Sequence, residues 1–176
     1  MTSTLPLPTP PGEPSSESCR AVVFTTAEHY LALPLTAVVK VIPATALEQV
    51  SSVQSSLIYL DGQPITLLNL QSCLSVVAPN QATARSSTDV GPFLLIASNQ
   101  EQLFAISTHQ VPTLMDLPLV TIRALPQSYR QSIQNIAVHV AVLTHQVETQ
   151  TILLLDLQQA MKAQDVSIPS PRPLNS

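Results

Sequence analysis

Gln63-Pro64-Ile65-Thr66-Leu67-Leu68-Asn69-Leu70-Gln71-Ser72-Cys73-Leu74 recurs, 87 positions further on, as Gln150-Thr151-Ile152-Leu153-Leu154-Leu155-Asp156-Leu157-Gln158-Gln159-Ala160-Met161. Six of the twelve aligned positions are identical, which marks an internal repeat rather than two unrelated aliphatic runs. In each copy an apolar run closes on Asn69 or Asp156 just before a Leu-Gln pair. Such a run reads as a buried strand handing over to a short helix, with the amide or carboxylate capping the free N–H groups of the first turn.

A fainter repeat lies upstream. Tyr30-Leu31-Ala32-Leu33 followed by Val38 aligns with Leu103-Phe104-Ala105-Ile106 followed by Val111, at an offset of 73. Each stretch sits behind a polar turn, and each turn follows an apolar strand, Ala21-Val22-Val23-Phe24 or Phe93-Leu94-Leu95-Ile96. Strand, polar turn, strand is a hairpin signal. The reading is one fold of two related lobes, one with a longer middle segment.

Strands are expected at about 21–26, 29–34, 57–60, 64–69, 93–98, 102–107, 112–115, 118–122, 136–143 and 150–155. Short helices are expected at about 35–41, 70–76, 108–111 and 156–163, and a helical turn within the irregular stretch 123–135. Many short strands with turn signals between them indicate a mainly β protein of small antiparallel barrels. Lobe one covers about 21–80 and lobe two about 92–163. Ile65, Leu67, Ile152 and Leu154 are expected to be buried. Residues 1–18 and 166–176, rich in Pro and Ser, bury too little surface to order themselves and read as tails dispensable for folding. Residues 78–92 read as a linker.

Composition excludes several function classes. Charged residues make up only 10% of the chain, against about 25% in ordinary soluble domains, so the surface has little charge to keep other proteins away. Net charge is −4 and the seven basic residues are scattered, which argues against nucleic acid binding. No apolar run approaches the length of a membrane helix, and the first twenty residues carry no secretory pattern. Cys19 and Cys73 do not suggest a disulfide, so a cytoplasmic, reducing location is expected.

Candidate chemistry is sparse. His139 and His145 share strand parity, but no third ligand lies near them in sequence, so no metal or other cofactor is expected. Cys73 fills an apolar helix position, where a buried thiol is commoner than a nucleophile. Asp156 is matched by Asn69, and an amide cannot act as a general base, so capping explains both residues. No two glycines are close enough for a phosphate loop. The pattern favours a binding module over an enzyme, an uncharacterised β-barrel hydrolase being the enzymatic alternative.

Three segments then resemble one family, that of CheW-type coupling proteins. Ala32-Leu33-Pro34-Leu35-Thr36-Ala37-Val38-Val39-Lys40-Val41-Ile42 resembles A-L-P-V-x-x-V-x-E-V-L. Leu60-Asp61-Gly62-Gln63-Pro64-Ile65-Thr66-Leu67-Leu68-Asn69-Leu70 is similar to L-R-G-x-x-x-P-V-I-D-L, and Ile152 to Met161 to I-L-L-x-D-x-x-x-L-L. The resemblance implies two intertwined five-stranded SH3-like barrels and a non-enzymatic adaptor between chemoreceptors and a CheA-type histidine kinase. It implies a partner face at Val38, Lys40, Leu60, Asp61 and Gly62, and as partners a kinase regulatory domain and a chemoreceptor-like protein. A response regulator and a pilus component are further candidates.

The departures fall on that face. The family's Glu is Lys40 here and its Arg is Asp61, while its Pro is Thr66 and its Asp is Asn69. One reversal would set like charges together; two restore attraction and invert the pattern shown to partners. Lys40 and Asp61 are therefore expected within about 4 Å of each other. A divergent coupling protein of a phototaxis or pilus-motility pathway fits this pattern, as does a CheW-like scaffold that has left the receptor–kinase array.

Overall fold

The computed structural model describes residues 17–26, 28–46, 57–74, 90–145 and 148–165. The 1–16 and 166–176 parts of the expected tails, and most of the expected linker, lie outside them. The strands are β1 (Ser18–Thr26), β2 (His29–Pro34), β3 (Val38–Pro43), β4 (Leu57–Leu60), β5 (Gln63–Leu68), β6 (Phe93–Asn99), β7 (Gln102–Thr108), β8 (Thr113–Pro118), β9 (Ile122–Ala124), β10 (Ala137–His145) and β11 (Glu148–Leu155). The helices are α1 (Leu70–Leu74), α2 (Gln127–Ser132) and α3 (Leu157–Asp165).

The strands form two SH3-like β lobes. One sheet has six strands in the order β8-β1-β2-β11-β10-β9, the other five in the order β3-β6-β7-β5-β4. The sheets do not follow the contiguous segments 21–80 and 92–163. The β1–β2 hairpin joins strands of the second half of the chain, and the β6–β7 hairpin joins strands of the first. Each hairpin is antiparallel and is joined on both sides, by a parallel pair (β11 with β2, β5 with β7) and by an antiparallel one (β8 with β1, β3 with β6).

This interlock explains why so many strands are apolar on both faces. Leu31, Leu33, Leu153 and Leu155 of the six-stranded sheet meet Leu68, Leu95, Phe104 and Ile106 of the five-stranded sheet in one central core, to which α1 and α3 add Cys73 and Ala160. Behind it each lobe keeps a smaller core: Val23, Ala32, Ala141 and Ile152 in one, Ile58, Ile65, Ile96 and Ala105 in the other. Repeat-related positions thus occupy equivalent places, Ile65 with Ile152 in the lobe cores and Leu68 with Leu155 in the shared one. Ile65 and Ile152 are buried as expected, whereas Leu67 and Leu154 are only half-buried against their lobe cores.

Several expected elements take another form. In place of a helix over 35–41, a single 3-10 turn at Leu35–Ala37 leads straight into β3, because Val38, Val39, Val41 and Ile42 favour extended backbone. No helix forms over 108–111: Thr108 ends β7, its hydroxyl donates to the Gln110 carbonyl at 2.7 Å, and Pro112 biases Val111 away from helical backbone. The strand expected at 118–122 ends at Pro118 and becomes a 3-10 turn, Leu119–Thr121. The following Ile122–Ala124 is β9, a sixth strand paired with β10, so one lobe exceeds the five strands implied by the resemblance. The helical turn expected within 123–135 is α2.

Candidate functional site

Lys40 and Asp61 come together through the outer strands of the five-stranded sheet. β3 pairs with β6 through a register shift between Val38 and Lys40, a bulge that re-aims the edge side chains. At the other edge β4 turns into β5 through Asp61 (φ 52°) and Gly62 (φ 77°), left-handed backbone in the Asp-Gly turn that a two-residue hairpin prefers. Lys40 Nζ donates to Asp61 Oδ2 at 3.3 Å. β3 and β4 are the first and last strands of their sheet, so the pair also marks where that sheet curls toward closure.

Both partners face solvent, with side chains 44% and 80% exposed, so the pair contributes well under about 1 kcal/mol to stability. Exposed apolar side chains lie near it along the chain: Val39 and Val41 on either side of Lys40 in β3, and Leu57 and Tyr59 in β4 ahead of Asp61. An ion pair among exposed aliphatic and aromatic side chains has the make-up of a contact surface.

Of the other residues read as partner-facing, Gly62 is exposed in the turn, Val38 is half-buried against the central core and Leu60 half-buried against its lobe core. Val39, Val41, Leu57 and Tyr59 carry the exposed apolar surface instead. Strand parity counted back from Asp61 would have found Leu57 and Tyr59; the bulge beside Val39 leaves no such trace in the sequence. A second exposed ion pair, Arg20 Nε to Asp116 Oδ1 at 3.2 Å, bridges β1 and β8, where the two residues are register partners.

The Ser72 N–H donates to Asn69 Oδ1 at 3.3 Å at the start of α1, and the Gln159 N–H to Asp156 Oδ1 at 3.0 Å at the start of α3. Cys73 is buried, and desolvation pushes its thiol pKa up, with the Ser72 hydroxyl offsetting part of that rise. A thiol held protonated is a poor nucleophile. Among the described residues no group of three or more His, Cys, Asp or Glu could hold a metal ion, and no helix is long and apolar enough to cross a membrane.

Two interlocked SH3-like lobes, with an exposed ion pair joining the edges of one sheet, define a two-lobed β domain. The family model for the CheW-like domain matches residues 20–165, and the chain belongs to that family. Among solved structures, the scaffolding protein TtCheW from Thermoanaerobacter tengcongensis superposes with a TM-score of 0.57 at 16% identity, covering 80% of this chain and 86% of that one. At that identity the likeness establishes a shared fold. No curated protein sequence matches the chain.

Proposed function

We propose that this chain is a non-enzymatic, cytoplasmic adaptor that couples a chemoreceptor-type sensor to the regulatory domain of a CheA-type histidine kinase. Its face around Lys40 and Asp61 makes the contact, with Gly62 in the turn and with Val38 and Leu60 half-buried beneath it. The observation that carries the reading is the 3.3 Å pair itself. A pair too exposed to matter for stability, on sheet edges that also carry exposed apolar side chains, has its value in choosing a partner. Membership of the CheW-like family and the scaffold fold of TtCheW support the same reading.

The inverted signs favour a second version, in which the chain scaffolds another machine such as a pilus motor, with a response regulator or pilus component as partner. Partners built to meet a Glu–Arg pattern would meet repulsion here. Capture of the tagged chain from its own host, with mass spectrometry of bound proteins, separates the two. A histidine kinase with a receptor supports the array, and pilus components without them support the other machine. In both versions the working domain is 19–165.

A further inference from the structure

Away from the Lys40–Asp61 face, the six-stranded lobe carries a groove of about 370 Å³. Leu125, Pro126 and Tyr129 wall one side, on α2 and its approach, and Tyr30, Val140 and Leu153 belong to the sheet. Tyr30 and Tyr129 are 41% and 39% exposed, so two aromatic residues stand at an open, largely apolar trough. α2 buries none of its own residues, so its outer side is not committed to the core. Aromatic-lined grooves of this kind recognise proline-rich chain, because a polyproline II segment is already extended and loses little entropy on docking.

The same chain supplies such a segment. Leu5-Pro6-Leu7-Pro8-Thr9-Pro10-Pro11 lies outside the described residues, is uncharged, and alternates leucine with proline before Glu13. It connects to the fold at Ser18, where β1 begins, and β1 runs to the hairpin beside the groove, with Thr25 opposite Tyr30. From Ser18 to Thr25 is roughly 23 Å at about 3.3 Å per residue. Residues 8–17 span up to roughly 31 Å at about 3.1 Å per residue, enough to bring Pro8 and the residues before it to the groove. The competing run, Pro169-Ser170-Pro171-Arg172-Pro173, leaves from α3, which packs on α1 and β5 and so toward the other lobe.

We propose that Leu5–Pro8 docks in the Tyr30–Tyr129 groove of its own chain as an internal ligand. The composition of the tail gives it no core of its own; the groove provides one from outside. The inference does not depend on the adaptor reading.

The test is a nitroxide on Leu5→Cys in the full chain carrying Cys19→Ser, Cys73 being buried. Amide signals of Glu28, Tyr129 and Thr151 are expected to lose most of their intensity at low protein concentration. Replacing Pro6 and Pro8 by Ala in that chain, which changes no residue of the folded lobes, is expected to restore them. Unchanged signals overturn the proposal. So does broadening that appears only with the label on Leu174→Cys, which assigns the groove to the other tail, or broadening that grows with protein concentration, which assigns it to a second copy.

Discussion

Ala32 of β2 lies beside Leu154 of β11 in parallel register, and the arrangement is built a second time from Ala105 of β7 and Leu67 of β5. Each pair joins a hairpin from one half of the chain to a strand from the other, so neither lobe closes without its counterpart. In each pair a buried alanine and a half-buried leucine lie side by side over the core of their lobe.

The side of the strand that faces the shared core should be the costlier one to truncate. Leu68 is 2% exposed and sits in the central core, whereas Leu67 is half-buried over its lobe core. Leu68→Ala is expected to destabilise the chain by about 2–5 kcal/mol in urea unfolding. Leu67→Ala should cost less; the reverse order would mean that the interlock is not the main source of stability.

Asp156 accepts from the Gln159 N–H at 3.0 Å, as the Asn69 amide oxygen accepts from the Ser72 N–H at 3.3 Å. Asp156→Ala should cost about 1 kcal/mol, and Asp156→Asn only a small fraction of that, since Asn69 already caps α1 with an amide. Thermal melts of both variants test this, and a large loss in Asp156→Asn would show that the carboxylate has another partner.

Gly91 tolerates no side chain. A Cβ there would stand 2.3 Å from the Thr108 carbonyl oxygen, a backbone atom that cannot swing aside. Its N–H also donates to Ser107 Oγ at 2.7 Å, holding the entry to β6 against β7. Gly91→Ala is expected to lower stability by about 1–3 kcal/mol through overpacking. Denaturant unfolding reads the cost, and an unchanged midpoint would mean that this contact relaxes freely.

The two cysteines should label in two phases. Cys19 is partly exposed and reacts early, while Cys73 reacts only when α1 opens. Burial raises the folded thiol pKa of Cys73, so the folded state favours the neutral form. That contribution is complete below the unfolded thiol value of about 8.5 and is lost as pH rises through the higher folded value. Cys73→Ala should remove this part of the alkaline loss of stability. Equal labelling rates for both thiols would contradict the burial of α1.

The sequence made local features legible and long-range pairings not. Asn69 and Asp156 declare themselves because a cap lies three residues from the N–H it accepts. Asp61-Gly62 declares itself because a two-residue hairpin needs left-handed backbone. The exchange of hairpins leaves no local mark: Ala32 and Ala105 carry the same pattern, and either could have paired within its own half. β9 is too short to show a period, and β3 was hidden because Leu35 to Ile42 also suits a helix face. On the contact face Lys40 and Asp61 were readable as a pair of reversed signs, whereas Val39 and Val41 depend on a bulge that only the fold reveals.

The most direct test of the adaptor reading is quantitative capture from the native host with the wild type, Asp61→Arg, and Lys40→Glu combined with Asp61→Arg. Mass spectrometry reads the bound proteins, and a thermal melt of each variant controls for folding. Wild type should enrich a histidine kinase and a receptor. Asp61→Arg should lose about tenfold or more of that enrichment, roughly the 1.4 kcal/mol of a misplaced interfacial charge. Its melting temperature should move by no more than about 4 °C, since the pair itself adds under about 1 kcal/mol. The double variant restores attraction within the pair but presents the opposite pattern, and should not recover the native partners in full. Undiminished capture by Asp61→Arg, or a wild type that captures neither kinase nor receptor, would contradict the account.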